Sequence, residues 1–135
     1  MKIYCLPEFK KVYEKLLKNN SYSDLTKEII SCFNEKDFND CLTGRVLNQS
    51  LENPYIKKDI GGRGGYRLYY LALTKYEKIY FGFVHPKTGS DGSSNTRDDY
   101  RNELIKSIYK AIETKDILKV SITSISISFD KLDEK

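Results

Sequence analysis

The sequence predicts an α+β domain in which a mainly antiparallel sheet of four or five strands packs with two N-terminal helices and one C-terminal helix. Apolar residues repeat at helical spacing in three segments and alternate as in strands in several others. The chain has 135 residues, of which 39% are hydrophobic and 31% charged, as is typical of one globular domain. We therefore interpret residues 1–135 as a single domain.

The N-terminal third predicts a strand followed by two helices. Residues 1–6 alternate as a short strand, and Pro7 suits the first turn of a helix. The apolar stripe of this helix comprises Phe9, Val12, Tyr13, Leu16 and Leu17. Ser23 is a candidate cap for a second helix. The apolar face of that helix comprises Leu25, Ile29, Ile30 and Phe33. Residues 34–54 have weak periodicity and predict a connection with one more short helical or strand piece.

After Pro54 the apolar spacing changes to that of strands. "YIKKDI", "GYRLYYLAL" and "KIYFGFV" are rich in aromatic and β-branched residues. The last two are joined by "TKYEK", a length typical of an antiparallel hairpin. Alternation puts Arg67, Tyr69 and Leu71 on one face of the middle strand.

The C-terminal part predicts a helix and one further strand. Thr96 and Asp99 have nearly the spacing of a capping box. The apolar face of the helix comprises Tyr100, Leu104, Ile108, Ala111 and Ile112. Residues 118–129 alternate as an extra strand, with a phase slip between residues 122 and 125 that indicates a bulge or break. Residues 130–135 form a frayed tail.

Positive charge is concentrated in the middle of the sequence. Between Tyr55 and Lys87 there are seven Lys or Arg residues and only two acidic residues, an excess of five. The rest of the chain holds 16 basic and 17 acidic residues. This distribution is typical of a single face that meets a polyanion, although lysines that protect a strand edge would give the same count.

Several other classes of protein are excluded or disfavoured by the sequence. No segment approaches the ~20 apolar residues of a membrane span, and the first residues lack a secretory signal, so we expect a cytoplasmic protein without a membrane partner. The three cysteines, Cys5, Cys32 and Cys41, have no metal-site spacing and predict buried or idle thiols. The glycines at 61–65 open a strand and not a helix, which argues against a phosphate-binding loop.

A group of basic and aromatic residues remains as the candidate site. Lys57 and Lys58 lie on one strand, Arg63 in the glycine turn, and Arg67 on the next strand, while His85 and Lys87 end the third. Antiparallel pairing brings such residues together on one face. The tyrosines interleaved with them are Tyr66, Tyr69, Tyr70, Tyr76 and Tyr80. Cations beside aromatic rings suit single-stranded nucleic acid, although sheet packing also explains several of the tyrosines.

The order of these residues resembles a known family. The run "IKKDIGGRGGYRLYYLALTKYEKIYFGFVHPKTG" followed by "TRDDYRNELIKSIYKAIE" is similar to the RelE/HigB/ParE superfamily of toxins from type II toxin–antitoxin systems. The resemblance covers residues 55–113 and includes the family's glycine–arginine turn and its strand arginine and tyrosine.

The resemblance implies an mRNA interferase, a metal-independent endoribonuclease that needs no cofactor. Such an enzyme cleaves mRNA in the ribosomal A site by attack of the ribose 2′-OH on the adjacent phosphate. It also implies that the single domain at residues 1–135 has a RelE-like fold. By position in the motif, Arg67 would bind the scissile phosphate and Lys87 would be the strand-end lysine. Lys57 or Lys58 would be the basic-strand group, since alternation puts only one of them on the active face. His85 would act as acid or base, because imidazole titrates near neutrality. Arg63 and Tyr69 would bind RNA, with Arg97 and Arg101 as supplementary contacts.

The resemblance also leaves alternatives open. ParE-type relatives poison DNA gyrase, and a non-catalytic RNA-binding protein on the same scaffold would share the basic face. The family implies a cognate antitoxin protein as partner and a toxin that is a monomer or part of a hetero-oligomer. The strand at 118–129 has no counterpart in the motif, and the sequence past Lys87 has no tyrosine before Tyr100.

Overall fold

A computed structural model describes residues 1–88 and 100–132 of the chain. The strands are β1 (Lys2–Cys5), β2 (Arg45–Val46), β3 (Tyr55–Ile60), β4 (Tyr66–Leu73), β5 (Lys78–Pro86), β6 (Leu118–Ile122) and β7 (Ile127–Lys131). The α-helices in these ranges are α1 (Pro7–Leu17), α2 (Leu25–Phe33) and α3 (Arg101–Thr114), and three short 3-10 helices span Asn20–Tyr22, Asn39–Leu42 and Thr74–Tyr76. The predicted α+β class is confirmed.

The seven strands form one mixed sheet in the order β2-β3-β4-β5-β1-β6-β7. β1 and β5 are parallel, with Ile3 opposite Ile79, and the other neighbouring pairs are antiparallel. The prediction of four or five strands is therefore wrong. β2 was missed because its two residues are too few to show alternation in the sequence. β6 and β7 were predicted as one strand because they lie in one alternating stretch. The RelE-like arrangement of the strands remains a prediction.

A hairpin turn separates β6 from β7 at the predicted phase slip. The backbone N–H of Thr123 donates to the carbonyl of Ser126 at 2.9 Å, and the Thr123 hydroxyl accepts from the N–H of Ser126 at 3.0 Å. These bonds reverse the chain, where a bulge would have kept its direction. β7 reaches Lys131, so part of the segment expected to be frayed lies in the sheet. Residues 133–135 are outside the described ranges.

Helices α1 and α2 cover one face of the sheet, as their apolar stripes predict. Pro7 lies in the first turn of α1, where its missing N–H costs no hydrogen bond. The rings of Phe9 in α1 and Phe33 in α2 both lie 5.1 Å from the ring of Phe81 in β5. The two helices therefore share one aromatic core with the middle of the sheet.

Helix α2 begins one residue later than the sequence predicts. Its cap position is Asp24 and not Ser23, and the Asp24 side chain makes no capping hydrogen bond. The Asp24 carboxylate accepts a hydrogen bond from the Tyr66 hydroxyl at 2.5 Å. This side chain therefore joins the start of α2 to the start of β4.

Helix α3 packs against the opposite face, over a glycine of β5. A Cβ added at Gly82 would lie 3.4 Å from Ile108 Cδ1 and 3.5 Å from Tyr55 Oη. Gly82 lies in a bulge, because the pairing of β4 with β5 shifts register at this point. The absence of a side chain there lets α3 approach the strand closely. The predicted capping box at residues 96–99 lies outside the described residues.

Tyrosine supplies much of the core. Four tyrosines of β3 and β4 are fully or almost fully buried: Tyr55, Tyr66, Tyr69 and Tyr70. The Tyr70 hydroxyl donates to the carbonyl of Cys41 at 2.7 Å, which satisfies a polar group that burial would otherwise leave unpaired. Most of the interleaved tyrosines are therefore packing residues. In the described ranges, none of the helices combines the length and the apolar character that crossing a bilayer demands.

Candidate functional site

The register of β3, β4 and β5 brings three candidate side chains onto one face. Lys57 is paired with Tyr69, Asp59 with Arg67, and Arg67 with His85. Paired residues on neighbouring antiparallel strands lie side by side, with Cβ atoms about 5 Å apart. The side chains of Lys57, Arg67 and His85 therefore project from the same face of the sheet, which we call the basic face. They lie near the end of the sheet where the glycine turn lies.

Asp59 lies between two of the cations on this face. Arg67 Nε is 3.6 Å from Asp59 Oδ1, and Lys87 Nζ is 3.8 Å from Asp59 Oδ2. The Asp59 side chain is 63% exposed, so both pairs are of the weak, solvent-screened kind. Arg67 Nε is itself buried and has no hydrogen-bond partner among the described residues. The guanidinium is thus held near a carboxylate without being fully satisfied by it.

Lys87 reaches back across the glycine turn. Its ammonium donates to the carbonyl of Gly62 at 2.9 Å, and its backbone N–H donates to the carbonyl of Gly65 at 2.9 Å. The end of β5 is therefore tied to the turn between β3 and β4. This contact and the ion pair hold the Lys87 ammonium near the Asp59 carboxylate, which is also near Arg67.

The glycines allow the turn to adopt backbone angles that other residues rarely reach. Gly61, Gly62 and Gly64 have φ values of +76°, +61° and +71°, a region that other residues rarely adopt. A Cβ at Gly65 would lie 2.0 Å from the carbonyl oxygen of Ile60. Arg63, at the tip of this turn, is exposed. The four glycines are therefore needed to fold the turn that presents Arg63.

His85 is buried, at 2% exposure, and its ring has a defined tautomer. Nδ1 lies 2.8 Å from the carbonyl of Pro86, and since a carbonyl only accepts, Nδ1 carries a hydrogen. Nε2 of the neutral ring is then an acceptor, and the Tyr69 hydroxyl lies 3.4 Å from it. The ring of Phe83 lies 5.8 Å from that of His85. The imidazole is thus oriented by its neighbours and shielded from solvent.

Tyr69 differs from its predicted role in RNA binding. It is fully buried, and Lys57 Nζ lies 6.0 Å from the centre of its ring. A buried ring presents no face on which a base could stack. In this conformation Tyr69 supports the site through its contacts with Lys57 and His85.

The alternation in β3 separates the two lysines, as the sequence predicts. Lys58 points to the face that carries α1 and α2, where its ammonium donates to Thr43 Oγ1 at 3.0 Å and lies 5.7 Å from the Phe33 ring. Arg101 is exposed at the first turn of α3, and among the described residues no hydrogen bond or ion pair joins it to the basic face. Arg97 lies outside the described residues.

The cysteines do not provide a nucleophile near this face. Burial raises the pKa of the Cys5 thiol to about 12, and it raises the pKa values of Cys32 and Cys41 as well. Such thiols stay protonated at neutral pH and are poor nucleophiles. All three are free of disulfide bonds.

Two features of the site were not predicted from the sequence. Asp59 follows Lys57 by two residues, so the period of a strand already placed its carboxylate on the basic face. Thr43 and Arg45 lie beside β3 because of the two-residue strand β2, and the sequence gives no periodic signal for that pairing.

Comparisons with known proteins give no match: no family model, no curated protein and no solved structure is significantly similar to this chain. The resemblance to the toxin superfamily therefore depends on the residue order within 55–113.

Proposed function

We propose that this protein is a ribosome-dependent endoribonuclease, the toxin of a type II toxin–antitoxin system. The observation that carries the proposal is the alignment of Lys57, Arg67 and His85 on one face of the sheet, with Lys87 joined to that face through Asp59. Concentrated positive charge is what a phosphate-transfer transition state requires, and preorganised charge often contributes most to catalysis. The site acts on mRNA at the ribosome, and hence in the cytoplasm.

Each of these residues has a defined task in the proposed reaction. The 2′ oxygen of a ribose forms a bond to the adjacent phosphorus, and the bond from phosphorus to the 5′ oxygen breaks. Arg67 and Lys87 bind the phosphate oxygens, and Lys57 adds charge on the same face. A base removes the 2′-OH proton, and an acid donates a proton to the departing 5′ oxygen. The products are a 2′,3′-cyclic phosphate and a 5′-OH.

His85 is the proposed proton carrier, and its surroundings set a condition on the mechanism. Nδ1–H is held by the carbonyl of Pro86, so Nε2 is the atom that exchanges a proton. Because His85 is almost fully buried, the side chains that cover Nε2 must move when RNA binds. General acid–base transfer by such a group contributes about 10²–10⁴-fold to the rate.

Substitution of Arg67 tests the proposal. We expect Arg67→Ala to abolish mRNA cleavage on ribosomes and growth arrest in cells, because it removes the cation nearest the proposed phosphate. Lys106→Ala, on the exposed surface of α3, is the matched control and should cleave like the unmodified protein. Arg67→Lys is included as a conservative variant that keeps the positive charge. A circular dichroism melt of each variant checks that it is folded. Full cleavage by a folded Arg67→Ala protein would defeat the assignment.

The burial of His85 favours one second candidate, an RNA-binding protein that does not cleave. Such a protein needs the basic face but no group with access to the 2′-OH. It would bind single-stranded RNA with an affinity that falls steeply with salt, and it would leave no cyclic phosphate. Analysis of RNA ends after incubation with ribosomes separates the two functions.

The proposed toxin requires a protein antitoxin that covers the basic face. An antitoxin segment with acidic side chains would pair with Arg67 and Lys87 in place of Asp59. The toxin itself would then be a monomer or part of a hetero-oligomer with this partner.

A further inference from the structure

A second basic site lies at the edge of the sheet, where β3 extends past the short strand β2. A cavity of about 610 Å³ opens there. It is lined by Cys32, Thr43, Gly44, Arg45, Lys57, Lys58, Asp59 and Arg67. Four of these residues are cationic and one is acidic, so the lining has a formal excess of three positive charges. A cavity with this charge is suited to an anion.

The surroundings of the Lys58 side chain are the main evidence for an anion site. Lys58 is only 9% exposed, and among the described residues its ammonium has one hydrogen bond, to the neutral Thr43 hydroxyl. Within the described ranges, the ion pairs of this region join Asp59 to Arg67 and to Lys87, and Lys58 takes part in neither. An ammonium has three hydrogens to donate, and Thr43 Oγ1 accepts one of them. An anion in the cavity would supply the missing negative charge.

The other lining groups fit the same ligand. Arg45 is exposed at the rim and is paired with Lys57 across the β2–β3 ladder. Arg67 Nε is buried and has no hydrogen-bond partner in the part of the chain that the structure describes. Burial raises the pKa of the Cys32 thiol, so Cys32 adds no negative charge at neutral pH. Asp59 is the one carboxylate in the lining, and it is already beside Arg67 and Lys87.

We infer that this cavity binds a second backbone phosphate of single-stranded RNA, held by Lys58, Arg45 and the Thr43 hydroxyl. This inference rests on the proposed function for the direction of the RNA, because Arg67 lines both the cavity and the basic face. The RNA backbone would pass from the basic face around the part of β3 that extends past β2 and into the cavity. The cavity would therefore favour binding of RNA whose chain continues beyond the scissile phosphate.

The test is binding of an oligonucleotide in which every ribose is replaced by 2′-deoxyribose, so that no cleavage can occur. Lys58→Met keeps the aliphatic stem over Phe33 and removes the charge. Arg45→Ala removes an exposed guanidinium. Each should weaken binding about tenfold, the effect of losing one charge-assisted hydrogen bond. Each should also reduce the slope of log affinity against log salt by about one phosphate contact.

Lys78→Met is the matched control. Lys78 also lies over an aromatic ring, 5.9 Å from that of Tyr4, but on a strand that does not line the cavity. Its affinity for the oligonucleotide should equal that of the unmodified protein. Nuclear magnetic resonance adds a direct readout, because the ligand should shift the backbone amide signals of Thr43, Gly44 and Arg45.

The outcomes are distinct from those of the cleavage test. Unchanged affinity in folded Lys58→Met, with no shift of the amide signals at 43–45, would overturn the inference. Binding of inorganic phosphate that an oligonucleotide does not displace would also overturn it, because the site would then be one for small anions. If the unmodified protein does not cleave mRNA but its oligonucleotide binding still depends on Lys58, the nuclease is refuted and the cavity site stands.

Discussion

Asp59 is a residue whose position on the basic face calls for a physical explanation. Its carboxylate lies within 4 Å of both Arg67 and Lys87 and is largely exposed. A solvent-exposed pair of this type contributes little to folding. Its effect is therefore expected mainly on ligand binding, because an incoming phosphate must compete with the carboxylate for the same two cations.

Asp59→Asn tests this effect. Removing one negative charge at about 4 Å from a bound phosphate in solvent is worth ~1 kcal/mol, so affinity for single-stranded RNA should rise about fivefold. The free energy of unfolding should change by no more than about 0.5 kcal/mol, since the side chain is exposed. Fluorescence anisotropy and urea denaturation measure the two quantities.

Asp130→Asn is the matched control for Asp59. Asp130 is exposed on β7, at the opposite edge of the sheet from β3. RNA affinity should be unchanged in this variant. Equal affinity of Asp59→Asn and the unmodified protein would show that Asp59 does not compete with the ligand.

At the scale of elements, the turn between β3 and β4 determines where the candidate groups lie. Its backbone brings Arg63 to the tip, and the carbonyls of Gly62 and Gly65 hold Lys87. The contact between Gly65 and the carbonyl of Ile60 leaves no space for a side chain. The turn therefore couples the ends of three strands.

Gly65→Ala should disrupt this turn. The added methyl group would meet backbone atoms, which cannot move aside like a flexible side chain, so we expect a loss of more than about 2 kcal/mol in the free energy of unfolding. Gly64→Asn is the control, because a Cβ at Gly64 has open space and asparagine tolerates positive φ. Urea denaturation compares the two. Similar midpoints for Gly65→Ala and the unmodified protein would contradict the steric explanation.

The elements also show which features the sequence could predict. The alternation in β3 correctly assigned Lys57 and Lys58 to opposite faces, because a strand with one buried face fixes its register. The apolar stripes of α1 and α2 likewise predicted these two helices and the faces that they bury. By contrast, β2 is too short for periodicity, and its pairing with β3 depends on tertiary contacts. The burial of His85 and Tyr69 depends on packing from several elements, which no local pattern encodes.

At the scale of the whole molecule, the buried tyrosines and thiols link stability to alkaline pH. Burial raises the pKa of Tyr80 and that of Cys5 to about 12, and it raises the pKa values of Tyr66 and Tyr70 further. In the unfolded chain these groups lose their protons near pH 9–10. The folded state then holds more protons than the unfolded state, so stability is lost as pH rises above that range.

Tyr80→Phe tests this linkage. The midpoint of urea denaturation should fall between pH 9 and pH 12 in the unmodified protein, and less steeply in Tyr80→Phe, which keeps the ring stacked on Tyr4 but has no hydroxyl to ionise. Tyr76→Phe is the control, since Tyr76 is 60% exposed, and it should follow the unmodified protein. Identical pH profiles for all three proteins would contradict the assigned cause.

In the proposed reaction, the sheet places cations from the region of three neighbouring strands around one phosphodiester. The most direct measurement is the chemistry of the RNA ends left when the purified protein is incubated with translating ribosomes. We expect 2′,3′-cyclic phosphate and 5′-OH ends with the unmodified protein and none with folded Arg67→Ala. Intact mRNA with the unmodified protein, or identical ends with both proteins, would contradict the proposal.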